Sequence, residues 1–115
     1  MPTLQRFLSA WRRRAWDRIE EHLQLTFVFT TANAHEWIVT LLSRMPIAKF
    51  RVVGSVTHSP VCVEFLVKFT YDDPALPCDI RRINVIRESE AFGPSEHGLW
   101  GVNPISLLRT ELARS

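Results

Sequence analysis

His58, Tyr71, Arg82 and Asn84 are the residues of this chain whose types suit acid–base chemistry. A histidine titrates near neutrality and serves as general base or polar anchor, and a tyrosine hydroxyl can stabilise a developing oxyanion. Arg82 and Asn84, two apart on a predicted strand, share one face and can fix a polar ligand group. Each also has a plainer role. His58 leads into the turn His58-Ser59-Pro60, Tyr71 ends a strand beside a loop, and Arg82, Asn84 and Glu88 can pair with neighbouring strands on a solvated face or across a dimer interface. Asp17 reads as a helix cap and Asp72, Asp73 and Asp79 as loop or loop-edge residues. His22 and His35 fall on polar helix faces, and with His58 and His97 they show no zinc spacing, so neither metal nor cofactor is expected. Cys62 and Cys78 read as separate reduced thiols.

A larger inventory is aromatic. Trp11, Trp16, Trp37 and Trp100, with Phe27, Phe29, Phe50, Phe65 and Phe69, are mostly core material. A sheet whose inner face carries Phe50, Phe65 and Phe69 against Trp37, with Trp11 and Trp16 as candidates to close it and Trp100 as a further lining residue, would leave an apolar pocket wherever packing is incomplete. Arg82 and Asn84 would be its polar anchors. Such a pocket suits a flat hydrophobic ligand.

The densest basic patch is Arg12-Arg13-Arg14, flanked by Arg6 and Arg18. Three consecutive helical residues point in different directions and Glu20 and Glu21 follow, so the patch reads as solvated surface. The net charge of +2 is mild and no aromatic platform accompanies the arginines, so no nucleic-acid partner is expected.

The positioning elements follow from periodicity. Leu4, Phe7, Leu8 and Trp11 make one helix face, and Asp17 with Glu20 forms a capping-box pattern that restarts the helix after a corner at residues 14–17. Leu25–Thr30 (LTFVFT) reads as a short strand. Asn33 with Glu36 then opens a third helix, whose stripe Ala34, Trp37, Ile38, Leu41, Leu42 and Met45 stops at Pro46. From Ile47 the period becomes 2. Phe50, Val52, Gly54 and Val56 form one row, which His58 continues, and after the turn Val61, Val63, Phe65, Val67, Phe69 and Tyr71 alternate against Cys62, Glu64, Leu66, Lys68 and Thr70. Asp72–Pro77 is a loop, Ile80–Glu88 a strand, Gly93–Gly98 a loop and Leu99–Leu107 the last strand. Helices lead and strands follow, the order of an α+β domain, and 115 residues make one domain, 1–115. No apolar run reaches the roughly 18–20 residues of a membrane span and the first residues lack a secretory pattern, so a soluble, cytoplasmic protein is expected, with no membrane partner.

At both ends the chain resembles the NTF2-like superfamily, also known as SnoaL-like or the cystatin-like α+β roll. FLSAWRRRAWDRIEEHL looks like its opening, where one helix gives way to the next at a Trp-Asp step, and HGLWGVNPISLLR (97–109) is similar to its closing strand. The resemblance implies three N-terminal helices packed in the concave face of a strongly curved antiparallel sheet, a cone-shaped roll enclosing a pocket. Many members carry two short strands between the second and third helices, where here LTFVFT alone fits. Ketosteroid-isomerase-like members place a carboxylate base and a Tyr plus protonated Asp inside the cone. That set has no evident counterpart here. The expectation is therefore a non-catalytic, homodimeric NTF2-like domain whose cone holds a small hydrophobic ligand or is filled. Two alternatives stand beside it. One is a small isomerase, dehydratase or hydrolase using His58 or Tyr71 with Arg82 and Asn84; the other is a protein-interaction module using the face of Cys62, Glu64, Leu66 and Lys68.

Overall fold

Leu4, Phe7, Leu8 and Trp11 form one face of helix α1 (Pro2–Arg13), and all four are buried in the computed structural model, which describes residues 1–89, 94–95 and 97–108. Pro2 stands in the first turn, where its missing N–H removes no helical bond. The helix ends at Arg14, which takes the left-handed conformation (φ 56°, ψ 37°) while the amides of Arg14 and Ala15 close back on the carbonyls of Trp11 and Ala10. This is the expected corner, but no capping box makes it. Helix α2 (Trp16–Ile19) starts one residue before Asp17, with Ala15 at the N-cap and no side-chain cap bond, so Asp17 lies in the first turn and is not the cap. A 3-10 turn (Glu20–His22) follows.

The expected strand Leu25–Thr30 is a helix, α3. Its two phenylalanines show why a strand does not fit: Phe27 is 7% exposed and Phe29 67%, whereas a strand would put both on one face. The start of α3 is held from outside. The Thr26 amide donates to the carboxylate of Glu88 at 3.1 Å, and the Thr26 hydroxyl donates to the same carboxylate. Helix α4 (Ala34–Ser43) begins after Asn33, as expected, although Asn33 is itself left-handed (φ 53°) and makes no side-chain cap bond. Ala34, Ile38 and Leu42 are buried, with Trp37, Leu41 and Met45 packed beside them. The described residues thus contain four α-helices and not three.

Strands β1 (Ile47–Ser59), β2 (Cys62–Tyr71), β3 (Asp79–Glu88) and β4 (Leu99–Asn103) form an antiparallel sheet in the order β1-β2-β3-β4, and the sheet is not closed. The inner face carries Phe65, Val67, Phe69 and Tyr71 of β2 and Ile83 and Val85 of β3, all buried. On β1 the expected single row breaks. A register shift between Val52 and Gly54 leaves Phe50 and Val52 opposite Phe69 and Val67 but places Gly54 and Val56 opposite Leu66 and Glu64, on the outer face. One inserted residue in a period of two exchanges the faces beyond it, so His58 does not continue the inner row. β4 also stops earlier than expected: Pro104–Leu108 is a 3-10 segment, begun where Pro104 has no ladder donor and the Asn103 side chain accepts from the Ile105 amide at 3.0 Å. Residues 93 and 96 of the expected loop and Arg109 of the expected closing segment lie outside the described residues.

Helical chain is tied to the free side of β4. Leu23 makes a parallel bridge with Val102, and the Gln24 amide donates to the Val102 carbonyl at 2.9 Å. Trp11 anchors α1 on the sheet, its ring centroid 4.9 Å from that of Phe69 and its indole N–H donating to the Met45 carbonyl at 3.0 Å. No helix among the described residues is long and apolar enough to cross a membrane.

Candidate functional site

The alternation of β3 decides which polar groups enter the interior. Ile83 and Val85 point inward, so Arg81 and Asp79 share their row, opposite Val67 and Phe69 of β2. There the Tyr71 hydroxyl donates to Asp79 Oδ1 at 2.7 Å, and Arg81 Nε donates to both the Tyr71 oxygen and Asp79 Oδ2 at 3.1 Å. Arg81 Nη2 closes the ion pair at 3.0 Å from Asp79 Oδ2, while Nη1 donates to the Leu107 carbonyl. These bonds clasp the end of β2, the start of β3 and the 3-10 segment after β4.

A tyrosine beside an aspartate inside such a sheet invites comparison with an oxyanion hole, but the protons point the wrong way. The one phenolic proton of Tyr71 is given to Asp79, and its oxygen already accepts from Arg81. Asp79 faces a guanidinium and is an acceptor. Burial, followed by the bond to Asp79, pushes the Tyr71 hydroxyl well above its ordinary range, with Arg81 opposing, so the phenol stays neutral and occupied. The group ties these three segments together, with the Tyr71 proton engaged by Asp79. It was missed in sequence because Asp79 and Arg81 border a loop, although stepping back by twos from Val85 through Ile83 reaches both.

The aromatic candidates lie at several places in the fold. Phe69 is fully buried and packed between Trp11 and Tyr71, and Phe65 is 9% exposed. Phe50 is half-buried on the edge strand, beneath the Arg12 guanidinium at 5.7 Å. Trp37 packs on Phe27 at 5.3 Å and lines an open groove of about 610 Å³ on α4 with Glu36, Leu41 and Arg44. Trp16 packs partly buried against the core, and Trp100 lies under the Arg87 guanidinium at 5.6 Å.

Arg82 and Asn84 face outward, on the side opposite Tyr71 and the buried phenylalanines, because they sit across from Leu66 and Glu64. His58 joins them there. Glu64 Oε1 lies 3.4 Å from His58 Nε2 and 3.3 Å from Arg82 Nη1, with Asn84 alongside. The structure therefore gathers His58, Arg82 and Asn84 around Glu64 and leaves Tyr71 on the other face. Cys62 is on the same outer face, and burial and then Glu64 push its thiol up, the reverse of what an activated nucleophile needs. Both cysteines are free, and among the described residues no three His, Cys, Asp or Glu side chains group as metal ligands would.

The outer face has the makings of a contact surface. Cys62, Leu66, Ile80 and Ile86 are half-buried along it and Val56 is 49% exposed, while Asn84 Oδ1 is enclosed with no hydrogen-bond partner among the described residues. No protein-family model, no curated protein and no solved structure matches the chain.

Proposed function

We propose that this chain is a non-catalytic NTF2-like domain that works as a homodimer through the outer face of its sheet, its roll filled by its own side chains. The helix corner, the helices-first order and the antiparallel sheet in the order β1-β2-β3-β4 support the fold reading, as do the sequence likenesses at both ends. The mutual satisfaction of Tyr71, Asp79 and Arg81 supports the absence of chemistry inside, and a hydrophobic ligand there would have to displace Trp11 or Phe69, both fully buried.

The observation that carries the dimer is the order Glu64, Leu66, Lys68 along the outer row of β2. A two-fold axis across the strands above Leu66 sets Glu64 against Lys68 of the second copy and repeats the pair by symmetry. Light scattering after size-exclusion chromatography tests the reading. The native chain is expected to run as a dimer at micromolar concentration, Glu64→Lys and Lys68→Glu each to weaken it, and the double exchange to restore it. A monomer at all concentrations, or a double exchange no better than the singles, overturns it.

A further inference from the structure

A second surface, independent of the dimer face, draws cations from three parts of the chain. Between α1, the 3-10 turn and the β3–β4 end of the sheet lies a cleft of about 350 Å³, with Arg6, Glu21, His22, Arg87, Leu99 and Trp100 in its lining. A neighbouring cleft of about 290 Å³ shares Arg6 and His22 and adds Arg13 and Arg18. Four guanidiniums therefore border this joined surface against one carboxylate, Glu21. Among the described residues Arg6, Arg13 and Arg18 have no ion-pair partner.

Arg87 is the preorganised member. Its Nε donates to the Gly98 carbonyl at 2.9 Å and its guanidinium lies over Trp100 at 5.6 Å, so the planar fork is held from its edge and one face. A guanidinium fixed in this way loses little freedom on binding and matches the two oxygens of a phosphate or carboxylate. The volume suits a small molecule and not a polymer. Leu99, 73% exposed, and the half-buried Trp100 add apolar surface beside the charges.

We propose that this cleft binds a small organic anion, a phosphate or carboxylate attached to a flat apolar group, with Arg6 and Arg87 taking the anion and Trp100 and Leu99 the apolar part. His22 reports the occupancy. His22 shares these clefts with Arg6, Arg13, Arg18, Arg87 and Glu21, and an anion beside its imidazole favours the imidazolium form, so binding raises the His22 pKa and tightens as pH falls through it.

Phenyl phosphate, benzoate, inorganic phosphate and phenol, titrated against the full chain by NMR, test this. Phenyl phosphate and benzoate are expected to shift the His22 ring and Trp100 indole resonances, phenyl phosphate at least tenfold tighter than inorganic phosphate, and phenol to leave both in place. Arg6→Gln, on the exposed face of α1, is expected to weaken phenyl phosphate about tenfold with the fold's spectrum unchanged. Arg87→Lys keeps the charge but loses the fork and should weaken it similarly. Equal binding of phenol, no shift at millimolar phenyl phosphate, or an Arg6→Gln variant that binds as well as the native chain overturns the proposal. So does a single-stranded RNA that shifts the same resonances when phenyl phosphate does not.

Discussion

The carboxylate of Glu88, on β3, caps the helix that begins at Leu25: it accepts the Thr26 amide at 3.1 Å and the Thr26 hydroxyl across 62 residues of sequence. Glu88 is only 4% exposed, so the bond is made away from water. Replacing a cap by alanine costs about 0.5–2 kcal/mol, and here a half-buried amide is orphaned as well. Glu88→Ala is expected to destabilise the chain by about 2 kcal/mol in urea unfolding and to lower the helical circular dichroism. Glu88→Gln, which keeps one acceptor, should lose less. An alanine variant of native stability would mean that α3 holds without its cap.

The clasp between Asp79 and Arg81 is a buried ion pair, 10% and 15% exposed at the side chains. Removing one partner leaves a charge without compensation, typically at 3–5 kcal/mol, whereas exchanging the pair together for apolar residues is far milder. Asp79→Ala and Arg81→Ala are each expected to cost about 3 kcal/mol, and Asp79→Leu with Arg81→Met clearly less than the sum. Tyr71→Phe removes a single hydroxyl from the group and should cost about 1 kcal/mol. Additive single and double variants in denaturant titrations would show that the three groups do not act together.

Gly101 is the point where helical chain meets the sheet. A Cβ there would stand 2.6 Å from Gln24 Cα and 2.7 Å from the Leu23 carbonyl oxygen, both backbone atoms that cannot turn aside. Gly101→Ala is therefore expected to break the Leu23–Val102 bridge and destabilise by about 3 kcal/mol, as overpacking of a tight contact does. Faster exchange of the Gln24 amide, which bonds Val102, is the specific readout. Unchanged protection would remove the steric account.

Stability also acquires a pH dependence through His22, whose pKa lies below its ordinary 6.5 chiefly because burial disfavours the imidazolium, with Glu21 opposing and Arg6 assisting. A folded pKa below the unfolded one means that the unfolded chain binds the proton more tightly. This contribution is complete above pH 6.5 and is lost as pH falls through the folded pKa. The melting temperature is expected to fall from pH 7 to pH 5 more steeply in the native chain than in His22→Gln. Parallel slopes would assign the effect to other groups.

Local signals alone determined a good part of this protein. The i, i+3, i+4, i+7 stripe of Leu4, Phe7, Leu8 and Trp11 specifies which face of α1 is buried, and the alternation from Val63 to Tyr71 specifies the inner face of β2, because both periods follow from backbone geometry within a few residues. The corner after Arg13 and the end of α4 ahead of Pro46 were legible for the same reason, as was the α+β order.

Tertiary structure decided the rest. Leu25–Thr30 has strand composition, yet a carboxylate on β3 supplies the helix start that its own neighbours lack. One inserted residue between Val52 and Gly54 reversed the faces of β1 and carried His58 to the outer side, a slip that pairing with β2 reveals and periodicity cannot. The inward polar groups proved to be Asp79 and Arg81, where Arg82 and Asn84 had been the candidates, because a strand's facing is set by the partner it pairs with. Composition and period record what each segment prefers by itself; which preference survives depends on partners 10 to 62 residues away, such as Tyr71 for Arg81 and Glu88 for Thr26.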